Sequence, residues 1–348
     1  MSKEGFELTE HNTWQVVAKD SDNEPHVFDL EGKKYKKTVD VEELLIRQAP
    51  PLRITPSRTR IPEREHRVIV DLPDIQMDFY HDLEGERHPT HDERALKVAR
   101  MICQDLKPNV IVIGGDNVDM AALSRFEKDS LRFSAPEALQ LAIDGLSNFL
   151  GHLRSENPQS RIIMLEGNHD KRLSKYVLKH AEKLYGLKRA NSRNEYPVNT
   201  FPFLLRLEDM KIEYASGYPA NEVWLEDDLV FVHGDRVRSS SSTAELYSKD
   251  YDNDVIFHHI HRHEMHSRTT KTGRFITAAS FGTLASIEGD VPSYGNGIDD
   301  RGNVVPKYEN WQQGMGVILQ YPDGYREMHP IHIRNGQARF LGREYRVR

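Results

Sequence analysis

The feature that most constrains this chain is a short β-branched run that recurs and each time ends in polar residues. Val68-Ile69-Val70 leads to Asp74, Val110-Ile111-Val112-Ile113 runs into Gly114-Gly115-Asp116, and Ile162-Ile163-Met164-Leu165 runs into Gly167-Asn168-His169-Asp170. Helical periodicity separates these runs. From about Asp92 the residues Ala95, Val98, Ile102 and Leu106 recur three and four apart until Pro108 stops the helix, and Leu139, Ala142, Ile143 and Leu146 repeat the pattern. Alternating strand, helix and strand imply a mainly parallel, buried sheet with crossover helices, and such sheets place their sites beyond the carboxyl ends of the strands.

The later half reads differently. Leu229-Val230-Phe231-Val232 ends at His233-Gly234, and Val255-Ile256-Phe257 ends at His258-His259-Ile260-His261. Arg274–Ala279, Gly316–Tyr321 and Glu327–Ile333 then alternate in strand fashion, the last two joined by the turn Pro322-Asp323-Gly324. These strands predict a second sheet packed on the first, which the C-terminal strands from about residue 290 complete or extend. Residues 1–60 form a separate, β-rich accessory module and linker. Thr13–Ala18 and Pro25–Leu30 flank the turn-prone Asp20-Ser21-Asp22-Asn23, the basic run Lys33, Lys34, Lys36 and Lys37 follows, and Pro50-Pro51 with Arg53, Arg58, Arg60 and Pro62 stiffens the connection. The basic run suits either a solvated hairpin face or a phosphate backbone. A chain of 348 residues accommodates such an appendage beside one large domain spanning 61–348.

Composition narrows the function classes. No apolar run approaches the ~20 residues of a membrane-spanning helix, so a soluble protein without a membrane partner is expected. Met1 to Glu10 is acidic and polar rather than basic then apolar, and the lone Cys103 cannot form an internal disulfide; both point to a reducing cytoplasm. A net charge of −7 argues against a surface coated with phosphate-binding groups. The seventeen histidines gather near Asp82 and between His258 and His266, and imidazole is the commonest transition-metal ligand.

The strand ends offer Asp74, Asp116, Asn168, His233, His259 and His261 as donors. Individually each has a structural reading: Asp116 after two glycines can cap a helix, His233 can be a hydrogen-bonded core histidine, and a single His-x-His says little. In order, however, the blocks Asp74-Ile75-Gln76, Gly115-Asp116-Asn117-Val118-Asp119, Gly167-Asn168-His169-Asp170, His233-Gly234 and His258-His259-Ile260-His261 resemble the calcineurin-like metallophosphoesterase superfamily, whose pattern is D-x-H, G-D-x-x-D, G-N-H-D/E, H-G and G-H-x-H. The resemblance covers about Arg67 to Ala279 and implies an α/β fold, a four-layer α/β/β/α sandwich of two mixed sheets flanked by helices. It implies two divalent ions, with Mn favoured over Fe, Zn or Mg. Asp74, Asp116 and His261 would hold the first, and Asp116 would bridge to a second held by Asn168, His233 and His259. His169 would face the substrate as phosphate binder or proton donor, oriented by Asp119. Two positions depart from the pattern. Gln76 stands where D-x-H has histidine, a weaker neutral ligand, and His258 replaces the glycine of G-H-x-H, so that the backbone there either tolerates a side chain or shifts. His81 lies nearby as a loop histidine.

The resemblance also implies a water nucleophile and a phosphate-ester substrate. Met120 replaces the arginine that follows this aspartate in the protein phosphatases, removing a fork-shaped phosphate clamp. That favours phosphodiesters, with DNA or RNA as partner, and Lys171, Arg172, Arg236 and Arg238 are candidates to grip a backbone. In Asp74-x-Gln76, His169-Asp170-Lys171-Arg172-Leu173 and Asn310-Trp311-Gln312-Gln313-Gly314 the chain is similar to phage-encoded phosphoesterases labelled as DNA repair exonucleases, which would place it in a host cytoplasm. A monoester phosphatase, acting on protein or a small molecule, and a non-catalytic metal-binding protein of the same fold are the alternatives. Oligomeric state has no sequence signature here.

Overall fold

The computed structural model describes residues 6–19, 25–37, 54, 56–57, 60–81, 87–123, 137–192, 195–239, 242–287, 297–298, 304–305 and 309–347. The chain divides into two compact units, Met1–Arg53 and Ile54–Arg348. Residues 54–61 side with the larger unit because the Ser57 amide donates to Ser155 O (2.9 Å) and the Ile61 amide to Gln159 Oε1 (2.9 Å).

The smaller unit is one antiparallel hairpin of β1 (Phe6–Lys19) and β2 (Pro25–Lys37), longer than the sequence pattern suggested at both outer ends. The basic run falls inside β2, where Lys36 is in register with Glu7 and Lys34 with Glu10. The expected turn at 20–23 and the Pro50-Pro51 linker lie outside the described residues.

The larger unit opens with β3 (Arg67–Leu72), the short pair β4 (Phe79–His81) and β5 (Arg87–Pro89), α1 (Glu93–Leu106) and β6 (Val110–Ile113). Asp92 caps α1 by accepting from the amides of Arg94 (2.8 Å) and Ala95 (3.2 Å). There follow α2 (Ala138–Glu156), β7 (Arg161–Leu165), α3 (Lys171–His180), α4 (Phe201–Leu204), β8 (Glu213–Ala215), β9 (Glu222–Leu225) and β10 (Leu229–Val232). The last part holds α5 (Thr243–Asp250), β11 (Asp254–Phe257), β12 (His263–Thr269), β13 (Phe275–Phe281), the two-residue strands β14 (Gly297–Ile298) and β15 (Val304–Val305), then β16 (Gly314–Gln320), β17 (Arg326–His332), β18 (Gln337–Phe340) and β19 (Arg343–Arg346).

Two mixed sheets make the sandwich. One has the order β17-β16-β3-β6-β7-β8 and the other β12-β13-β11-β10-β9. Their facing sides share one core: Ile69, Val112, Ile163 and Ile318 meet Leu225, Phe231, Ile256 and Phe281, all nearly without solvent exposure. Burying each such side chain contributes about 1.5–3 kcal/mol. On the outer face of the second sheet, Ala244 and Tyr247 of α5 pack on Val230, Val255 and Phe257. On that of the first lie α1 and α2, whose buried stripes include Val98, Ile102, Ala142, Leu146 and Leu150. This is the α/β/β/α arrangement that the resemblance implied.

One expectation is corrected. The C-terminal strands do not complete the second sheet: β16 pairs antiparallel with β3, Val317 opposite Val70, and β17 pairs with β16, so both extend the first. Otherwise β3 would be left as an exposed edge, and its fully buried run Val68–Leu72 could not stay dry. The five strands that lead to the candidate ligands, β3, β6, β7, β10 and β11, all run parallel to a neighbour.

Candidate metal centre

Five of the seven candidate ligands sit in left-handed backbone: Asp74 (φ 37°), Gln76 (47°), Asp116 (48°), His259 (75°) and His261 (57°). Side-chain-bearing residues avoid that region, and each costs on the order of 1 kcal/mol or more. Each of these five residues follows the end of a strand that runs parallel to a neighbour. Neighbouring turns hold them in place: the Gln76 amide donates to Asp116 O (2.8 Å), Met77 to Asn117 O (3.0 Å), and Asp119 to Met77 O (3.2 Å). Gly167 is required here, because a Cβ at that position would lie 2.2 Å from both the Asp116 amide and its Oδ1.

Asp116, His233 and His259 form a ready cation cluster, each offering a ligand atom within 4.8 Å of the others. His233 Nε2 lies 3.3 Å from Asp116 Oδ1 and 3.1 Å from Asn168 Oδ1, and its Nδ1 lies 2.8 Å from Gly114 O. That carbonyl takes the Nδ1 proton, which leaves Nε2 to face the cluster. Beside it, His261 Nε2 is 3.4 Å from Asp74 Oδ1 and 3.2 Å from Gln76 Nε2. Asp74 Oδ2 accepts the His259 amide (3.2 Å), whereas Asp74 Oδ1 and His261 Nδ1 are buried without a hydrogen bond. A buried carboxylate oxygen without a donor fits a cation. The seven sequence-derived candidates thus lie in two groups, Asp116, Asn168, His233 and His259 in one and Asp74, Gln76 and His261 in the other, and Asp116, His233 and His259 are placed to hold a cation.

Electrostatics agree. Burial alone would raise the carboxyls, but the charges of His169 and His233 hold Asp116 well below the ordinary range, and His261 holds Asp74 below it. Burial likewise opposes protonation of His233, yet Asp116 and Asp74 push it up to about 9. His259, buried and beside His233, falls to about 4. The proton that the carboxylates draw onto His233 is one that a divalent ion would displace.

His169 stands apart from the ligands. Its amide donates to Asp116 Oδ1 (2.8 Å), its Nδ1 lies 2.6 Å from Asp119 Oδ1, and its Nε2 lies 3.8 Å from Asp116 Oδ2 and 3.2 Å from Arg172 Nη2. Arg172 in turn donates to Asp119 O (2.6 Å) and Oδ1 (3.3 Å). Of the other cations expected to grip phosphate, Lys171 is on Glu166 (3.3 Å), and Arg236 is paired with Asp250 and lies over the Tyr247 ring (4.6 Å). Arg238 donates its amide to Thr243 Oγ1 (3.1 Å). Of His81, the side chain lies outside the described residues.

Several residues gain roles that motif reading left blank. Asp170 accepts four N–H bonds, from the amides of Asn117 (3.0 Å), Val118 (3.3 Å) and Gly167 (2.9 Å) and from Asn117 Nδ2 (2.8 Å), so it laces two ligand loops together. Burial, with the nearby Asp116 charge, raises its carboxyl to about 6. Glu166 accepts from the amides of Gly217 (2.8 Å) and Tyr218 (3.0 Å), which brings the Tyr218 ring to the edge of His233 at 5.6 Å. Trp311 meets His261 at 4.5 Å. His258 is no disruption: it is buried, bonds Asp71 Oδ1 (2.9 Å) and Val232 O (2.8 Å), and its ring fills the space a Cβ on Gly114 would need, 2.3 Å away. The backbone tolerates the side chain because Gly114 has none. Asp71 was legible in principle, since an acid inside a buried apolar strand requires a partner.

The family model described as calcineurin-like phosphoesterase matches residues 73–291, more than half of the chain. No curated protein matches the sequence. Among solved structures, Yfce, a phosphoesterase from E. coli, aligns over 76% of this chain and 98% of its own, with 11% identity and a TM-score of 0.31. By the family match, this chain belongs to the calcineurin-like phosphoesterases, metal-dependent hydrolases of phosphate esters.

Proposed function

We propose that this hydrolase cleaves phosphodiesters, with nucleic acid as its substrate class and Mn²⁺ as the favoured ion. One observation carries the preference: Lys171, Arg172 and Arg236 beside the centre are already paired within the protein, and buried Met120 supplies no cation after Asp119. A monoester dianion demands extra positive charge on its non-bridging oxygens, whereas a diester carries a single charge that the ions neutralise. The alkoxide that departs from any alkyl ester needs a proton. His169 fits that need.

Asp74, Gln76, Asp116 and His261 would hold one ion, and Asp116, Asn168, His233 and His259 the other. Bound there, two divalent ions supply Lewis acidity toward the phosphoryl oxygens and a nucleophilic water at neutral pH. Asp119 fixes His169 through Nδ1, which leaves Nε2 to meet the substrate. Burial and the Arg172 charge lower the His169 pKa, but the Asp116 and Asp119 charges more than offset them and raise it above its ordinary value, which suits an imidazole that gives a proton to the leaving oxygen. Arg172, on the carboxylate and carbonyl of Asp119, keeps that pair in register and brings a guanidinium N–H within 3.2 Å of the same point.

The test is a panel of mono- and diesters with single- and double-stranded DNA and added Mn²⁺. Diester turnover is expected to exceed monoester turnover. The reverse order would make the protein a monoester phosphatase, and silence on every ester with metal bound would make it a non-catalytic binder. Because few cations are free to contact phosphates, DNA cleavage should weaken only gently with salt, with a log–log slope of about −1 to −2. A steep slope would contradict the pairing argument.

Metal titration provides a second expected result. Gln76 contributes a neutral amide where imidazole would bind more strongly, so the two ions should bind with unequal affinity and Gln76→His should tighten the weaker one. Calorimetry showing two equally tight sites in the unmodified protein would refute the assignment of Gln76.

A further inference from the structure

On the reading that the centre cleaves phosphodiesters, we propose that the cavity beside Trp311 is a subsite for a nucleobase flanking the scissile phosphate. The cavity has a volume of about 610 Å³ and is walled by Trp311, Gln313, His91, His332, Arg334 and Asn335 among others. That is within the range of pockets that enclose small organic ligands. Its position carries the inference. The indole of Trp311 meets the His261 ring at 4.5 Å with 72° between the planes, and the next amide, Gln312, donates to His261 O (2.8 Å). The cavity wall is therefore fastened to a candidate ligand of the first ion, which puts the cavity beside the centre.

The lining fits a base with its sugar phosphate better than a bare phosphate. Trp311 is half-buried and crosses His261 steeply instead of stacking on it, leaving aromatic surface toward the cavity. Bases of any identity stack on such a ring. Gln313 is committed to the fold, donating to Ala285 O (2.9 Å) and Asp92 Oδ2 (3.3 Å), so the wall is rigid. Arg334 is exposed at the rim, and among the described residues no carboxylate pairs with it. A guanidinium in that place suits the phosphate one nucleotide away. Lys171, Arg172 and Arg236 at the centre are paired, so affinity for a polymeric diester comes from this side pocket, whose lining holds Trp311 and Arg334 along with the acids Asp92 and Glu93.

The experiment is calorimetric titration of the Mn²⁺-loaded protein with thymidine monophosphate and with deoxyribose phosphate, which differ only by the base. The protein is expected to bind the base-bearing compound about 5- to 100-fold more tightly. Trp311→Ala should abolish that ratio and leave deoxyribose phosphate binding unchanged, while Trp311→Phe, which keeps an aromatic face in a similar volume, should retain most of it. Thymidine 3′,5′-bisphosphate should bind more tightly than the monophosphate, and Arg334→Gln should erase the gain. Equal binding of the two compounds by the unmodified protein, or a ratio that survives Trp311→Ala, would overturn the subsite. Binding is read without turnover, so a protein that discriminates bases but cleaves no diester sinks the diesterase reading alone. Diester cleavage with no base preference in binding sinks the subsite alone.

Discussion

Replacing His169 with alanine is expected to slow cleavage of DNA by ~10²- to 10⁴-fold while leaving the metal content unchanged. The two halves of that expectation come from different atoms. Metal content should hold because Asn168 Oδ1, not the imidazole, lies beside His233 Nε2 at 3.1 Å, and because His169 reaches Asp116 chiefly through its main-chain amide at 2.8 Å, which alanine retains. Rate should fall because the protonated ring, raised by Asp116 and Asp119 against the effect of burial, is the acid for a departing alkoxide. A nitrophenolate leaves without help, so an activated nitrophenyl diester should slow much less than DNA. Asp119→Asn should give a weaker form of the same pattern, since it loosens the ring held at 2.6 Å without deleting it. Loss of an ion in His169→Ala would recast the residue as a ligand, and equal slowing of both substrates would recast it as a phosphate binder. Metal analysis and paired initial rates separate the three outcomes.

The parts of this site that were legible in sequence are those in which chemistry and position coincide. A ligand that directly follows a buried parallel strand leaves its mark twice, as an apolar run and as a polar residue at its end, and Asp116, Asn168, His233 and His259 were found that way. The alternation of strands and helices gave the parallel sheet with its crossover helices for the same reason. Sheet membership of β16 and β17 was not legible, because their alternation fits an added strand on either sheet and only pairing with β3 decides which. Nor were the fates of Lys171 and Arg236. Both looked like phosphate grips, yet each has an acid that the fold brings near from elsewhere, Glu166 at 3.3 Å for one and Asp250 for the other. Pairs at these separations, five and fourteen residues, follow no regular helix or strand spacing. Asp170 was hidden differently. It belongs to the Gly167–Asp170 motif, but its role as acceptor of four N–H groups depends on where the chain at 117 and 118 passes.

The buried pair of Asp71 and His258 gives the other large expectation: Asp71→Val or His258→Leu should each cost about 3–5 kcal/mol of stability, and the two together should cost less than either. Both side chains are buried, with His258 Nε2 2.9 Å from Asp71 Oδ1 and Nδ1 2.8 Å from Val232 O. Each ring nitrogen faces an acceptor, so the arrangement is satisfied by an imidazolium beside a carboxylate. Removing one partner strands a buried charge, whereas removing both leaves an apolar contact between β3 and the end of β11. Chemical denaturation of the four proteins measures the coupling, and single costs that add to within about 0.5 kcal/mol would show the residues to be independent. The pH dependence gives a second check. Burial lowers the His258 pKa, but the Asp71 charge and hydrogen bond raise it above the ordinary value of 6.5. Stability from a group whose folded pKa is raised is complete below 6.5 and is lost as pH climbs through the folded value. The stability gap between the unmodified protein and the double variant should therefore shift in favour of the double variant as pH rises above 6.5. A gap that does not move with pH would mean that the ring is neutral and merely packed. The pair also joins β3, three residues before Asp74, to the residue preceding His259, so the single variants should lose metal affinity along with stability. In that case the histidine in place of the motif glycine is a brace that sets the spacing between the two ligand loops.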